Sequence, residues 1–249
     1  MTDIGLKTDR ELEIMRRAGR VVAALLKLME KKTRPGVSTE QLDEIAEEFI
    51  RSQGTEPAFK GYYGYPASIC ASVNEEVVHG IPGPRLLKEG DIVGIDVGVI
   101  LEGFYSDAAR TFAVGEVDAE SRRLMEVTRE SLEAGIARAV TGAKLSDISS
   151  AVQKHAEAHG FSVVRQFVGH GIGKSLHEEP QVPNFGKPGQ GPILKRGMTL
   201  AIEPMVNAGT YEVEILKDGW TAVTKDGKRS AHFEHTVFVG EGKAEVVTE

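Results

Sequence analysis

Residues 94–107 have the sequence GIDVGVILEGFYSD, which places two carboxylates, Asp96 and Asp107, eleven residues apart in otherwise apolar, strand-like sequence. Asp is a poor strand residue, and an ionised carboxylate among Ile, Val and Phe is costly unless a cation or several donors offset its desolvation. The intervening Glu102-Gly103 pair is typical of a hairpin turn, so we expect two antiparallel strands to bring Asp96 and Asp107 face to face. This hairpin predicts one half of a metal site.

Composition and charge restrict the class of protein. The chain has 249 residues, of which 41% are hydrophobic and 27% charged, as in an ordinary globular enzyme. Its 30 Lys and Arg against 37 Asp and Glu give a net charge of -7 without a strongly basic block, so we expect no nucleic-acid partner. The single cysteine, Cys70, excludes an internal disulfide and a Cys-based zinc site. With no signal-peptide pattern and no apolar run of transmembrane length, we expect a cytoplasmic protein without a membrane partner.

Capping signals and apolar periodicity predict four helices and several short strands. Thr8 with Glu11, and Ser38 with Gln41, have the spacing of a capping box at a helix N-terminus. The predicted helices cover about 13–31, 38–53, 118–140 and 146–159. The predicted strands that follow cover about 161–168, 198–206 and 211–216, with a final hairpin over about 231–239. We expect His155 and His159 to face solvent on the polar end of the fourth helix.

The chain also contains an internal repeat. Offsets of 106 and 107 residues align Gly36 with Gly142, Gly54 with Gly160, 87–90 with 194–197, and Asp96 with Glu203. We infer a duplication in which each half delivers a carboxylate from an equivalent strand to a shared central site. This favours one fused unit of helices and strands over two independent domains.

Three further candidate ligands lie in apolar or Gly-rich sequence. His170 lies between glycines just after a predicted strand, Glu203 ends an apolar strand, and Glu234 lies among aromatic and β-branched residues. Each acid could instead make structural hydrogen bonds or face water. Together with Asp96 and Asp107, however, they suit two divalent cations such as Mn, Co, Fe(II) or Zn. Two cations about 3.5–4 Å apart activate a water molecule, which makes hydrolysis the natural chemistry.

This ligand set, in its order and spacing, resembles that of type I methionine aminopeptidases of the pita-bread fold. The sequences Val-His-Gly-Ile-Pro around His79 and Leu-His-Glu-Glu-Pro around His177 add to the resemblance, which covers nearly the whole chain. It implies an α+β pita-bread fold with duplicated αββ halves around a curved antiparallel sheet. Residues 1–249 would form a single catalytic domain, with halves of about 8–115 and 118–240.

The resemblance also implies a role for each site residue. The implied metal ligands are Asp96, Asp107, His170, Glu203 and Glu234, of which Asp107 and Glu234 would bridge two divalent ions. Glu203 would also act as general acid/base, His177 would stabilise the oxyanion of the tetrahedral intermediate, and His79 would contact the scissile amide nitrogen.

The methionine pocket of the family corresponds here to Phe59, Tyr62, Tyr65, Cys70, Leu176 and Trp220. A thioether fits such an aromatic-lined cavity, since a sulfur–aromatic contact contributes about 0.3–1.5 kcal/mol. Without the resemblance, core packing would be the simpler explanation of the two tyrosines and the tryptophan. Phe59 and Leu176 differ from some relatives, which carry Cys and Phe at these positions.

The leading hypothesis is therefore a dinuclear aminopeptidase that removes the initiator methionine from nascent chains and prefers a small second residue. It implies N-terminal Met peptides and nascent chains as partners, an association with the ribosome, and a monovalent cation near Asn74 and Ser230; we expect a monomer. One alternative is a proline-directed aminopeptidase or prolidase, which shares the fold and ligands but usually carries an additional N-terminal domain. The other is a non-catalytic pita-bread module that binds RNA or protein; such relatives lose metal ligands that are all present here.

Overall fold

The computed structural model describes residues 4–249, which form four α-helices and fifteen mostly short β-strands. The elements are α1 (Asp9–Lys32), α2 (Thr39–Ser52), β1 (Glu56–Pro57), β2 (Ile69–Val73), β3 (Glu76–Val78), β4 (Ile92–Leu101), β5 (Phe104–Ala113), α3 (Ala119–Ile136), α4 (Leu145–Ala158), β6 (Ser162–Val163), β7 (Gly169–Gly171), β8 (Glu178–Val182), β9 (Thr199–Ile202), β10 (Met205–Asn207), β11 (Val213–Ile215), β12 (Ala222–Thr224), β13 (Ser230–His232), β14 (His235–Phe238) and β15 (Glu245–Val246). Within these described residues, no helix combines the length and apolar character that crossing a bilayer requires.

The strands pair in four antiparallel sheets. In the first, β1, β4 and β2 are neighbours and β5 pairs with β4; the others have the orders β13-β10-β6, β11-β12-β3 and β15-β14-β9-β7-β8. The apolar face of α1, including Val22, Leu25 and Met29, packs on the β4–β5 hairpin beside α2. Helices α3 and α4 pack on each other and close a second core with Leu200 and Ile202 of β9. The molecule thus has an α+β architecture with a helix pair on each half.

Both predicted capping boxes are confirmed. The Thr8 hydroxyl accepts the Glu11 N–H at the start of α1, and the Glu11 carboxylate accepts the Thr8 N–H. Ser38 and Gln41 make the equivalent pair of bonds at the start of α2. These bonds satisfy backbone donors that a helix N-terminus otherwise leaves unpaired, which is why the spacing identifies both starts.

The predicted hairpin around the two aspartates is present. Glu102 and Gly103 have φ values of 49° and 78°, as a two-residue type I′ turn requires. This turn pairs Gly98 with Asp107 and Asp96 with Ala109. The two carboxylates therefore share one face of the hairpin. We expected them to lie directly opposite each other, but they are diagonal neighbours. Diagonal positions lie about 7–8 Å apart at the backbone, which leaves room for a cation between the side chains.

The duplication is visible as repeated backbone hydrogen bonds. The Gly36 N–H donates to the Leu87 carbonyl at 2.8 Å, and the Gly142 N–H donates to the Leu194 carbonyl at 2.9 Å. Both glycines have left-handed φ values, 87° and 90°, in the turns that precede α2 and α4. Helices α2 and α4 each have 14 residues and are offset by 106. The repeated letters therefore correspond to a repeated fold.

Three predicted elements are wrong in detail. Residues 231–239 are not a hairpin, because β13 pairs with β10 whereas β14 pairs with β9 and β15. The chain passes from one sheet to another at Phe233-Glu234, where the Glu234 N–H donates to the Ala109 carbonyl. Helix α3 ends before Val140, which instead forms a β-bridge with Gly240. The strand expected over 161–168 is limited to β6, since the chain then bends towards the central cavity described below.

Candidate active site and metal centre

A cavity of about 260 Å³ opens between the two halves. All thirteen site residues predicted from the sequence line it: Phe59, Tyr62, Tyr65, Cys70, His79, Asp96, Asp107, His170, Leu176, His177, Glu203, Trp220 and Glu234. Tyr63, Val78, Phe167 and Val168 also line the cavity and were not predicted. The sequence could have indicated these four residues only by their position, because each lies within three residues of a predicted site residue. The structure brings the residues together, while their individual roles stay predictions.

Four carboxylates converge in this cavity from four different segments. Asp96 lies on β4, Asp107 on β5, Glu203 directly after β9 and Glu234 directly before β14. Asp107 and Glu234 are only 3% and 2% exposed. Among the described residues, no Lys or Arg side chain lines the cavity, and Asp96 Oδ1 and Glu234 Oε1 are buried without a hydrogen-bond partner. When they are ionised, buried carboxylate oxygens of this kind need a cation to offset their desolvation.

His170 is oriented as a metal ligand would be. Its Nδ1 donates to the Gly171 carbonyl at 2.9 Å, so the lone pair of a neutral ring is on Nε2. That Nε2 lies 3.4 Å from Glu203 Oε1 and 3.8 Å from Asp107 Oδ2. A ligating histidine commonly donates its other N–H to a carbonyl in this way, which fixes both tautomer and ring orientation.

The electrostatics of the metal-free cluster fit a divalent cation. Burial, reinforced by the neighbouring acids, raises the pKa of Asp96, Glu203 and Glu234 well above the ordinary range. Burial also raises the pKa of Asp107 to about 6 and lowers that of His170 to about 4. A bound cation would stabilise the ionised form of these carboxylates and so lower their pKa. It would also accept the neutral imidazole of His170 as a ligand. Ligand atoms of Asp107, His170 and Glu234 lie within 4.8 Å of one another, and this donor set supports a divalent metal cofactor.

His232 is a buried neighbour of the site that was not predicted. Its Nε2 lies 3.7 Å from Glu203 Oε2, and no atom of residues 4–249 forms a hydrogen bond with it. The Thr111 hydroxyl accepts the His232 N–H and donates to its carbonyl, both at 2.9 Å, which fixes the backbone. Its position two residues before Glu234 was the only signal in the sequence.

Two more histidines flank the carboxylates. His79 has a left-handed backbone, with φ of 60°, and its ring packs edge-on against Phe167 at 5.3 Å between centroids. Strained backbone in a non-glycine residue is typical of functional sites. His177 is exposed at the cavity mouth, where its Nδ1 lies 2.8 Å from the Tyr62 hydroxyl and its ring lies 4.4 Å from that of His170.

A further part of the cavity lining is apolar. Phe59, Cys70 and Leu176 are buried, and the Tyr65 ring packs edge-on against Trp220 at 5.1 Å. The Tyr65 hydroxyl is within hydrogen-bond distance of two backbone carbonyls, so its polar end is satisfied while the ring faces the cavity. The site therefore joins a polar cluster to a small aromatic pocket.

Asn74 and Ser230 lie together outside this cavity. The Ser230 N–H donates to the Asn74 carbonyl at 2.8 Å, and the Asn74 side chain bonds Asp91 and the Ile92 N–H. These bonds link the first half to the second at the base of β13. They place the two residues side by side, and the monovalent-cation site near them stays a prediction.

Comparisons with known proteins agree with this geometry. The sequence profile of Metallopeptidase family M24 matches residues 13–241. Methionine aminopeptidase of Clostridium perfringens is 56% identical, with 98% of each chain covered, and methionine aminopeptidase 1 of Bacillus subtilis is 54% identical, with 97% of this chain and 98% of that protein covered. The solved structure of methionine aminopeptidase from Thermotoga maritima has a TM-score of 0.98 at 48% identity and covers 99% of this chain and 100% of its own. The chain therefore belongs to metallopeptidase family M24 and, within that family, to the methionine aminopeptidases.

Proposed function

We propose that this chain removes the initiator methionine from nascent polypeptides with two divalent metal ions and prefers a small second residue. The observation that carries the proposal is the convergence of four carboxylates, of which Asp107 and Glu234 are fully buried, and a neutral imidazole beside an aromatic pocket. Its substrates are peptides with an N-terminal methionine. The proposal adds the number of metals, the role of each residue and the second-residue preference.

Five residues would hold the metals. Asp96 would bind one ion, His170 and Glu203 the other, and Asp107 and Glu234 would bridge the pair. Divalent ions held there would polarise the scissile carbonyl and lower the pKa of a water molecule. The unpartnered oxygens of Asp96 and Glu234 support this assignment, because in the described residues nothing else compensates them.

Glu203 would move the proton. Its carboxylate would accept a proton from water as the water oxygen attacks the methionyl carbonyl carbon. It would then deliver that proton to the amide nitrogen as the C–N bond breaks, so the products are free methionine and a shortened peptide. His177 at the mouth would donate to the developing oxyanion, and His79 would contact the leaving nitrogen.

The apolar wall would select methionine. Phe59, Cys70 and Leu176 offer a buried, polarisable surface, and the packed rings of Tyr65 and Trp220 extend it. At the mouth, the Tyr62 hydroxyl lies within hydrogen-bond distance of His177, and the two side chains would narrow the path of the second residue. This crowding supports a preference for small second residues.

Several broader expectations accompany this function. We propose a single catalytic domain over residues 1–249, active as a monomer in the cytoplasm and associated with the ribosome. A monovalent cation near Asn74 and Ser230 would add rigidity where the two halves meet. Mn, Co, Fe(II) and Zn are all compatible with the oxygen-rich ligand set.

The decisive experiment uses metal-stripped protein reconstituted separately with Mn, Co, Fe(II) or Zn. We expect release of Met from Met-Ala-Ser, slower release from Met-Leu-Ser, and no cleavage of Ala-Pro-Ser or Met-Pro. Metal analysis should give two ions per chain at full activity, and chelation should abolish activity. Full activity with one ion would refute the dinuclear site. Cleavage confined to the proline peptides would favour the proline-directed alternative, and cleavage of none would favour a binding module.

A further inference from the structure

A second group of metal-binding side chains lies on the outer helices. Glu130 of α3 and His155 and His159 at the end of α4 present ligand atoms that all lie within 4.8 Å of one another. His155 Nε2 is 3.0 Å from Glu130 Oε2, and the two imidazole rings are 4.6 Å apart between centroids. Contrary to expectation, both histidines are half-buried and paired, not free in solvent. None of the three residues lines the central cavity.

The local hydrogen bonds orient His159 for a ligand. Its Nδ1 lies 2.8 Å from the His155 carbonyl oxygen. Because a carbonyl only accepts, Nδ1 carries the proton and the neutral ring keeps a free lone pair on Nε2. A donated second N–H of this kind is the usual outer partner of a metal-bound histidine. The ring is therefore held in place by α4 itself.

The charge around the group also favours a cation. His155 lies in the last turn of α4 and His159 is its C-cap, where the helix carbonyls carry partial negative charge. Glu130 adds a formal negative charge from α3. Arg123 approaches the same end, but its guanidinium donates to the His159 carbonyl at 3.2 Å and lies over the Phe161 ring.

We propose that Glu130, His155 and His159 form a second metal site that binds one Zn²⁺ independently of the central pair. Two imidazoles and one carboxylate are an established donor set for zinc, with a water molecule as fourth ligand. Ligand atoms at about 2.0–2.2 Å from one ion lie about 3.4 Å apart. The observed separations of up to 4.8 Å are somewhat longer than this. The Glu130 and His155 side chains are 36% and 26% exposed, so they have room to move closer together. A bound ion would tie α3 to the end of α4.

The test separates this site from the central one. In full-length protein carrying Asp107→Asn and Glu234→Gln to disable the central ligands, equilibrium dialysis against ZnCl₂ with metal analysis should give one Zn²⁺ per chain. Adding His155→Ala or His159→Ala should weaken that binding by more than the roughly 10–100-fold that loss of an outer partner costs. Zn²⁺ should also raise the Tm of the parent background, which is the protein carrying only Asp107→Asn and Glu234→Gln. It should not raise the Tm of the variants that also lack His155 or His159.

Two comparisons guard the interpretation. Glu130→Gln keeps the side-chain volume and should weaken Zn²⁺ binding, whereas Glu133→Gln, one turn along α3 and paired with Arg129, should not change it. Co²⁺ substituted in the parent background should give visible absorption bands that the His155→Ala variant lacks. Zn²⁺ binding that is absent from the parent background, or that survives His155→Ala unchanged, would overturn the proposal.

Discussion

His232 Nε2 lies 3.7 Å from Glu203 Oε2, on the side of the carboxylate away from His170, whose Nε2 lies 3.4 Å from Oε1. The Glu203 carboxylate is thus held between two buried imidazoles. Burial lowers the pKa of His232 to about 3, so the neutral ring faces Glu203. A buried polar atom left without a partner is costly, so we expect His232 Nε2 and Glu203 Oε2 to reach hydrogen-bond distance in the active enzyme.

Replacing His232 should therefore lower turnover through Glu203. His232→Leu is expected to reduce kcat roughly 10–100-fold, the range typical of outer partners, with little change in KM because the residue does not line the cavity. His232→Gln, which retains a donor, should recover most of the loss. His235→Gln is the matched control, since His235 bonds Thr248 away from the site. Wild-type kcat and metal content in His232→Leu would show that the contact has no catalytic role.

Glu203→Gln should nearly abolish turnover. The amide keeps the size of the side chain but cannot take up a proton, and general acid–base catalysis contributes about 10²–10⁴-fold. Single-turnover rates on Met-Ala-Ser and metal content should be measured together, with exposed Glu214→Gln of β11 as the charge-matched control. Near-normal rates with full metal content would remove Glu203 from the proton transfer.

Gly98→Ala should disturb the methionine pocket. A Cβ at Gly98 would lie 2.7 Å from Phe59 Cε1 and 2.9 Å from Ala58 Cβ, so Phe59 would be pushed into the cavity. We expect KM for Met-Ala-Ser to rise more than kcat falls, with about 1–3 kcal/mol less stability from overpacking. Gly94→Ala on the same strand meets nothing closer than 3.6 Å and should leave both kinetic constants unchanged. Equal behaviour of the two variants would contradict the assignment of Phe59.

The stability of the metal-free protein should rise as pH is lowered from about 8.5 to 6.5. An acid whose folded-state pKa is raised, such as Asp96 or Glu234, stabilises the fold when protonated and loses that contribution as pH rises through the folded pKa. His79 and His170, with pKa values lowered to about 4, act oppositely, but only below their unfolded value of about 6.5.

Calorimetric Tm values across this window check the sign. Asp96→Asn should flatten the dependence, because the amide has no proton to lose, while metal-loaded protein should not show it. A Tm that falls as pH is lowered from 8.5 to 6.5, in the absence of metal, would contradict the expected protonation of the cluster.

Local signals made much of this fold predictable. The Thr8 and Ser38 capping boxes and the Glu102-Gly103 turn depend on neighbours in sequence, and each is present. The four acids among the predicted metal ligands stood out because isolated carboxylates in apolar strands are costly, and His170 stood out because glycines flank it. Their roles could not be derived from the residues alone and came from the family resemblance.

What the sequence could not predict depends on contacts between distant segments. The switch between sheets at Phe233-Glu234 follows from pairing with β9 and β10, more than 25 residues away. The contact of His232 with Glu203 and the pairing of Glu130 with His155 have the same origin. The local sequence pattern around one residue of such a pair does not indicate which distant residue it will contact.

The duplicated architecture divides the five predicted metal ligands between the halves: Asp96 and Asp107 belong to the first, and His170, Glu203 and Glu234 to the second. A cation bound by all five would therefore link the two halves, and its binding free energy would add to the free energy of unfolding. A slight rotation of one half against the other would spread the ligands and weaken the grip on the ion. Metal affinity and the mechanical rigidity of the molecule are, in this arrangement, one property.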